Sequence, residues 1–160
     1  MGVYTFTPSL APLVGQSYVD LAEFVDVFAP MIYRNYPDDP GPACINWELT
    51  KIPRDMGVEG TDKEEAVMAA VLAITGLADI VTDRKIAPIK KALPPAAVGH
   101  ETKMARELIG DERKLIPIIY IDDPLIKETA TSVKENGADG VSYFVYKDEF
   151  EKMVKPAMGI

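Results

Sequence analysis

The positions of apolar residues along the chain predict strands that alternate with helices. Residues Val25–Tyr33 form a nearly continuous apolar run of strand length, which suits a strand buried on both faces of a parallel sheet. Three further segments are rich in β-branched and aromatic residues and are also predicted as strands: Val3–Thr7, Leu115–Ile121 and Val141–Tyr146. We therefore expect four strands, with Val25–Tyr33 in a central position.

Between these strands, apolar residues recur at helical spacing. The predicted helices are Gln16–Phe24, Asp62–Thr75, Ala78–Leu93 and Val98–Ile109. One more helix is expected after Asp122 and Asp123, either of which can cap it, and Gly137 follows its end.

Two Ser/Thr/Asp-x-x-Glu patterns mark helix starts. Thr61 and Glu64 form a capping-box pattern before the second helix, and Asp148 and Glu151 offer another for a short terminal helix.

Residues 36–60 read as a long irregular segment, because prolines and glycines interrupt them. The segment also contains Cys44, Ile45, Trp47 and Leu49, which are too apolar for a solvated linker. Long loops inside compact domains are usually functional or disordered, and the apolar content favours a folded loop.

The alternation of strands and helices predicts a single α/β domain over residues 1–160, with a mainly parallel sheet of βα units. A full (βα)8 barrel usually needs about 250 residues, so this chain would supply about half of a TIM barrel. Four strands with helices on one side leave the other sheet face bare. Either helices cover both faces, as in a flavodoxin-like open sheet, or the half-barrel pairs with another copy or another chain.

Composition and charge exclude some partners. The net charge of −8 opposes binding to nucleic acid or to an anionic membrane surface, because phosphates would be repelled. No apolar run approaches the roughly 18 residues that a membrane span requires, and the first residues lack the pattern of a secretory signal. Cys44 is the only cysteine, so no internal disulfide forms and we expect a cytoplasmic protein.

Polar and aromatic residues follow the central strand directly, where parallel sheets place their ligand sites. Tyr33, Arg34 and Tyr36 are the first candidates for ligand binding. An aromatic ring packs on a sugar ring, and a guanidinium binds a carboxylate or phosphate through two parallel hydrogen bonds. The alternative is a strand end at which an amphipathic tyrosine and arginine meet solvent.

Five further residues are candidates, each with a structural alternative. Trp47 and Glu48 combine a sugar platform with an acid, or else anchor the loop to the core. Tyr143 either faces a ligand or packs in the core. Asp122 is the candidate catalytic carboxylate. Together with Asp123 it also has the chemistry to bind Mg²⁺ or to cap the next helix.

Several mechanisms lack the residues they need. His100 is the only histidine, which argues against a Ser-His-Asp or Cys-His mechanism. Cys44 has no companion for a zinc site, and the chain has no Gly-x-Gly-x-x-Gly or phosphate-loop pattern. The sequence therefore predicts no cofactor and, apart from the Mg²⁺ alternative at Asp122 and Asp123, no metal.

Short motifs across most of the chain resemble the carboxyl-terminal half of chitinase-like glycoside hydrolase barrels. Ala29–Tyr33 resembles the sixth strand of such barrels, where a Met-x-Tyr sequence carries a tyrosine into the sugar site. Ala138–Phe144 is similar to the last strand, Leu115–Tyr120 to the seventh and Val3–Pro8 to the fifth. The resemblance implies that Asp122, at the end of the seventh strand, occupies the place of a nucleophile that works with an acid about 5 Å away.

The chain departs from this family at two points. Arg34 stands where the family typically has an aspartate after the tyrosine, and the Asp-x-x-Asp-x-Asp-x-Glu motif of the catalytic acid is absent. That motif belongs to a fourth strand, which would precede Met1. We therefore expect a barrel half that binds a carbohydrate or small polar ligand and hydrolyses it only with an acid from a partner. The alternatives are a non-enzymatic open α/β ligand- or protein-binding domain and a structural half-barrel that associates with a partner.

Overall fold

The computed structural model describes residues 1–37, 44–144, 149–150, 152 and 155. Its strands are β1 (Gly2–Thr5), β2 (Val27–Pro30), β3 (Lys114–Leu115), β4 (Ile118–Tyr120) and β5 (Ser142–Phe144). Its helices are α1 (Tyr18–Leu21), α2 (Ile45–Asp55), α3 (Glu64–Ile74), α4 (Ile86–Lys91), α5 (Pro95–Ile109) and α6 (Ile126–Glu135), with a 3₁₀ helix at Ala11–Val14.

All described strand pairs are parallel, which confirms the predicted α/β class. β1 pairs with β2, β2 with β3, and β4 with β5. An isolated parallel bridge between Met31 and Ile118 joins the two groups of strands. Neighbours in the sheet are therefore also neighbours along the chain. A flavodoxin-like order, with the first strand between the second and third, does not fit this pairing.

The predicted strand over 115–121 is present as two short pieces, β3 and β4. Pro117 lies between them and cannot donate a backbone hydrogen bond to a neighbouring strand. The backbone continues across this interruption, since Ile116 N donates to Phe28 O and Ser142 N donates to Pro117 O. β3 and β4 therefore act as one strand of a four-stranded arrangement.

Helices cover one face of this arrangement. Ile32 and Ile119 point toward the helices, and both are at most 1% exposed. They belong to a large core cluster with buried residues of α2 to α6, among them Leu49, Leu72 and Val98. A second cluster joins Phe28 and Leu115 to the short helix α1 and to α5.

The other face carries a separate cluster of mostly half-buried side chains. Within the described residues, its only helical member is Trp47 in the first turn of α2. Tyr4 in β1 is 73% exposed, and Ala29 and Met31 are half-buried. The structure thus shows one helix-covered face and one face that the described helices leave largely uncovered.

The prediction that residues 36–60 are irregular was wrong in part, because this segment contains the 11-residue helix α2. Ile45 and Leu49 are fully buried and lie one helical turn apart, so tertiary packing stabilises the helix. Pro53 lies in its last turn, where little of the helix remains to be disrupted.

The predicted helix Ala78–Leu93 is shorter than expected, since only Ile86–Lys91 is helical. The Arg84 guanidinium donates to Ala78 O and Val81 O, which closes a turn in place of a helix. The predicted cap by Asp148 and Glu151 lies outside the described residues. No described helix has the length and apolarity needed to cross a bilayer.

An ionic cluster around Asp139 joins α5 to the amino end of β3. The Asp139 carboxylate accepts hydrogen bonds from Leu115 N at 2.8 Å, from Arg106 at 2.7 Å and from Lys114 at 3.1 Å. The Leu115 hydrogen bond, followed by those from Lys114 and Arg106, lowers the pKa of Asp139 to about 2.

We predict that Asp139 contributes to stability above its unfolded-state pKa of 3.8 and that this contribution is lost as the pH falls through about 2. Asp139→Asn should lower the free energy of unfolding at neutral pH by about 1 kcal/mol, because charge-assisted hydrogen bonds are lost. Urea unfolding across this pH range measures both effects. Asp55→Asn, which breaks an exposed pair with Lys51, is the control. An equally steep acid dependence in Asp139→Asn would contradict the prediction.

Candidate functional site

Four aromatic rings meet at the carboxyl end of the strands, on the uncovered face. Tyr33 and Tyr36 follow β2, Tyr120 ends β4 and Phe144 ends β5. The Tyr36 and Tyr120 ring centroids are 5.0 Å apart in an edge-on arrangement, and Tyr33 stacks on Phe144 at 5.2 Å. We call these four residues the aromatic cluster.

Strand alternation explains this selection of side chains. Successive residues of a strand point to opposite faces. In β4, Ile119 therefore lies in the helix-covered core and Tyr120 in the aromatic cluster. In β5, Tyr143 packs against the core and Phe144 lies in the cluster.

Tyr33 forms the floor of the aromatic cluster. It is 2% exposed, and burial raises the pKa of its phenol above the usual value. Tyr36 and Tyr120 are more exposed, so a ligand would meet them first.

The candidate catalytic residue Asp122 lies next to the aromatic cluster. The Tyr120 hydroxyl donates to Asp122 Oδ2 at 3.4 Å, and Asp122 is half-buried. The arrangement offers a carboxylate that accepts hydrogen bonds beside aromatic faces.

Arg34 has a structural role in place of the predicted ligand-binding one. Its side chain is 5% exposed on the helix-covered side, and it forms a bidentate ion pair with Asp123, whose side chain is 1% exposed. The guanidinium also donates to Leu93 O and to Thr129 Oγ1. Because all three of its side-chain nitrogens donate to protein acceptors, Arg34 stabilises the fold and its guanidinium does not face the aromatic cluster.

The N-cap residue of α6 is Leu125, and its side chain makes no capping hydrogen bond, so neither Asp122 nor Asp123 is the N-cap. Asp123 instead accepts hydrogen bonds from residues at and beyond the start of this helix. Its carboxylate accepts from Leu125 N at 2.8 Å, just before α6, and from Thr129 Oγ1 at 2.7 Å. These bonds and the Arg34 pair occupy Asp123 on the helix side, so it is not available as a Mg²⁺ partner of Asp122. Within the described residues, no group of three or more His, Cys, Asp or Glu side chains is placed to hold a metal ion.

Trp47 borders the aromatic cluster and makes contacts through both its indole nitrogen and its ring. Its indole nitrogen donates to Tyr36 O at 2.9 Å. The Lys90 ammonium lies 4.8 Å from the ring centroid, and the Arg54 guanidinium lies 5.2 Å from it. These contacts support the loop-anchor alternative for Trp47 over the sugar platform.

Glu48 and Tyr143 lie apart from the aromatic cluster. Glu48 lines a separate cleft with Phe6, Leu13 and Lys51. Tyr143 packs against the helix-covered core, and burial raises the pKa of its phenol. The residue of β5 that faces the aromatic cluster is Phe144, one position after Tyr143.

His100 and Cys44, for which the sequence predicts no catalytic role, both contact the backbone of neighbouring elements. His100 Nε2 lies 3.3 Å from Thr75 O, beside the end of α3. Cys44 is fully buried and forms an isolated bridge with Tyr33.

Comparison of the chain with protein-family models, with curated proteins and with solved structures finds no match. Any functional assignment therefore rests on the geometry described above.

We predict that Arg34→Met lowers the free energy of unfolding by about 3–5 kcal/mol, because it leaves the Asp123 carboxylate buried without its partner. The double variant Arg34→Met/Asp123→Leu should recover much of this loss, since no unpaired charge remains. Chemical denaturation measures both. The matched control is Lys51→Ala, which breaks an exposed ion pair and should cost less than about 1 kcal/mol. A cost of the same small size for Arg34→Met would contradict the structural role.

Proposed function

We propose that this protein binds a carbohydrate or a similar small polar ligand at the carboxyl ends of its strands. The observation that carries the proposal is the meeting of Tyr36, Tyr120 and Phe144 from successive strands beside the Asp122 carboxylate. Aromatic rings pack on the apolar face of a sugar ring, and the carboxylate accepts hydrogen bonds from its hydroxyl groups.

Hydrolysis of such a ligand needs a second carboxyl group. Glycosidases place a proton donor and a nucleophile or base about 5–10 Å apart. Among the described residues of the site, Asp122 is the carboxylate beside the aromatic cluster. In this proposal Asp122 is catalytic only when a partner supplies the acid, and the chain alone is a binding protein.

We propose further that the chain is half of a TIM-like barrel. Its strands are parallel and follow one another in chain order, and helices cover one face. In a (βα)8 barrel the other face is the packed interior. A second copy, or a partner chain with four strands of its own, would cover this face and pair with the edges of β1 and β5 that no described strand occupies.

A second candidate function, association with a protein partner, is favoured by an apolar groove on the helix side. The groove has a volume of about 650 Å³ and lies between the 3₁₀ helix, α2 and α3. Leu13, Met56 and Ile74 border it and are 70%, 60% and 86% exposed. Contiguous apolar surface of this kind is uncommon on soluble monomers and often marks an interaction site.

The binding proposal is tested with soluble oligosaccharides of glucose, xylose, mannose and N-acetylglucosamine. We expect calorimetry, together with the fluorescence of Trp47, the only tryptophan, to detect binding of at least one of them. Tyr36→Ala and Asp122→Asn should each weaken that binding about tenfold or more, because they remove a stacking face or a charged acceptor.

Tyr4→Ala is the matched control, since Tyr4 is an exposed tyrosine outside the aromatic cluster. Unchanged binding in both folded site variants would show that the ligand does not contact this site.

The pairing proposal is tested by light scattering over a range of concentrations. We expect a mass of about twice the 17.5 kDa of one chain, because an uncovered apolar sheet face favours association. A mass of one chain at every concentration would contradict self-pairing.

A further inference from the structure

Tyr36 occupies the centre of the aromatic cluster although it lies beyond the paired part of β2. Its ring centroid is 5.0 Å from that of Tyr120, 6.0 Å from that of Tyr33 and 6.2 Å from that of Phe144. Among the described residues, the last isolated bridge of this segment is at Tyr33, three residues earlier. Strand pairing therefore does not fix the position of Tyr36.

Two consecutive residues of α2 bind the backbone of Tyr36. Asn46 Nδ2 donates to Tyr36 O at 3.1 Å, and Trp47 Nε1 donates to the same oxygen at 2.9 Å. A carbonyl oxygen has two lone pairs, so both acceptor positions of Tyr36 O are used.

Both donors are themselves held in place. Asn46 is 0% exposed, and its Nδ2 also donates to Lys90 O at 2.6 Å, which ties it to α4. The Lys90 and Arg54 side chains lie over the Trp47 ring. A buried amide and an indole with cations over its ring have few alternative rotamers, so the two hydrogen bonds constrain Tyr36 strongly.

We propose that Asn46 and Trp47 are positioning residues that hold Tyr36 in the geometry needed for ligand binding. This inference rests on the proposed function, since it concerns the same site. A binding side chain that is already fixed loses less conformational freedom when the ligand arrives, so its affinity is higher. Neither residue needs to touch the ligand in this role.

The assignment differs from a purely structural role in what it predicts. A structural role lowers the stability of α2 and leaves the affinity of the folded protein unchanged. A positioning role lowers the affinity of the folded protein, and it does so only while the Tyr36 ring is present.

The test is a double-mutant cycle on binding of the oligosaccharide that binds the wild-type chain most tightly. Asn46→Ala and Trp47→Phe each remove one donor, and we expect each to weaken binding about fivefold to tenfold, the effect of one lost hydrogen bond. In a Tyr36→Ala background the same changes should have no further effect. Lys51→Ala, on the exposed side of the same helix, is the control and should leave binding unchanged.

Two outcomes would overturn the positioning role. One is unchanged affinity in folded Trp47→Phe, a variant that retains an aromatic ring and so remains informative if Asn46→Ala does not fold. The other is a loss of affinity of the same size with and without the Tyr36 ring.

A measurement without ligand separates this inference from the proposed function. The contribution of the Tyr36 ring to the near-UV circular dichroism spectrum is the difference between the wild-type chain and Tyr36→Ala. Asn46→Ala should lose most of this contribution, because the ring is no longer fixed among its neighbours. If no oligosaccharide binds the wild-type chain, the proposed function fails, and this spectrum still decides the positioning role. A full contribution in folded Asn46→Ala would overturn it.

Discussion

The rest of the structure depends on the buried ion pair between Arg34 and Asp123, because this pair connects two strand ends to the helices that cover them. Arg34 follows β2, Asp123 follows β4, and the pair also contacts Thr129 in α6 and the carbonyl of Leu93 before α5. A charge buried to this degree is tolerated only when it is paired and its hydrogen-bonding groups are satisfied. The pair therefore fixes the relative positions of two strand ends and of the helical layer, and the aromatic cluster is built on those same strand ends.

The proposed binding of a ligand and the proposed pairing with a second chain both concern the uncovered face of the sheet. A parallel sheet is normally buried on both faces, yet the described helices pack mainly on one. The side chains of the other face are apolar in the middle and aromatic at the carboxyl end. In the function proposed above, another element would cover this face along its length and a ligand would be reached at its aromatic end.

Local sequence patterns predicted most of the elements, and tertiary interactions explain the exceptions. α5 was expected almost over its observed length, because its apolar spacing is regular and Gly110 ends it with a positive φ of 72°. α2 was missed because prolines and glycines surround it. The spacing of the apolar residues Ile45 and Leu49, four positions apart, was the signal available in the sequence.

The site was predicted in part, for reasons that particular residues show. The carboxyl end of the central strand was the predicted place, and the structure brings Tyr33 and Tyr36 together there with Tyr120 and Phe144. The side chain of Arg34 is buried because it pairs with Asp123, a residue 89 positions later in the chain. No local sequence pattern reveals such a partner. Tyr143 was chosen over Phe144 because the side-chain alternation of a short strand cannot be assigned until one of its residues is known to be buried.

The alternation within β2 and its continuation has an evolutionary consequence. Ile32 and Arg34 enter the helix-covered side, while Tyr33 enters the opposite one. The residues that carry the buried ion pair and the residues of the aromatic cluster thus occupy separate sides of the same strand. Exchange of an exposed ring in the cluster, for instance at Tyr120, need not disturb the buried charges. A protein built in this way can change the chemistry of this surface through mutation while its thermodynamic stability is preserved.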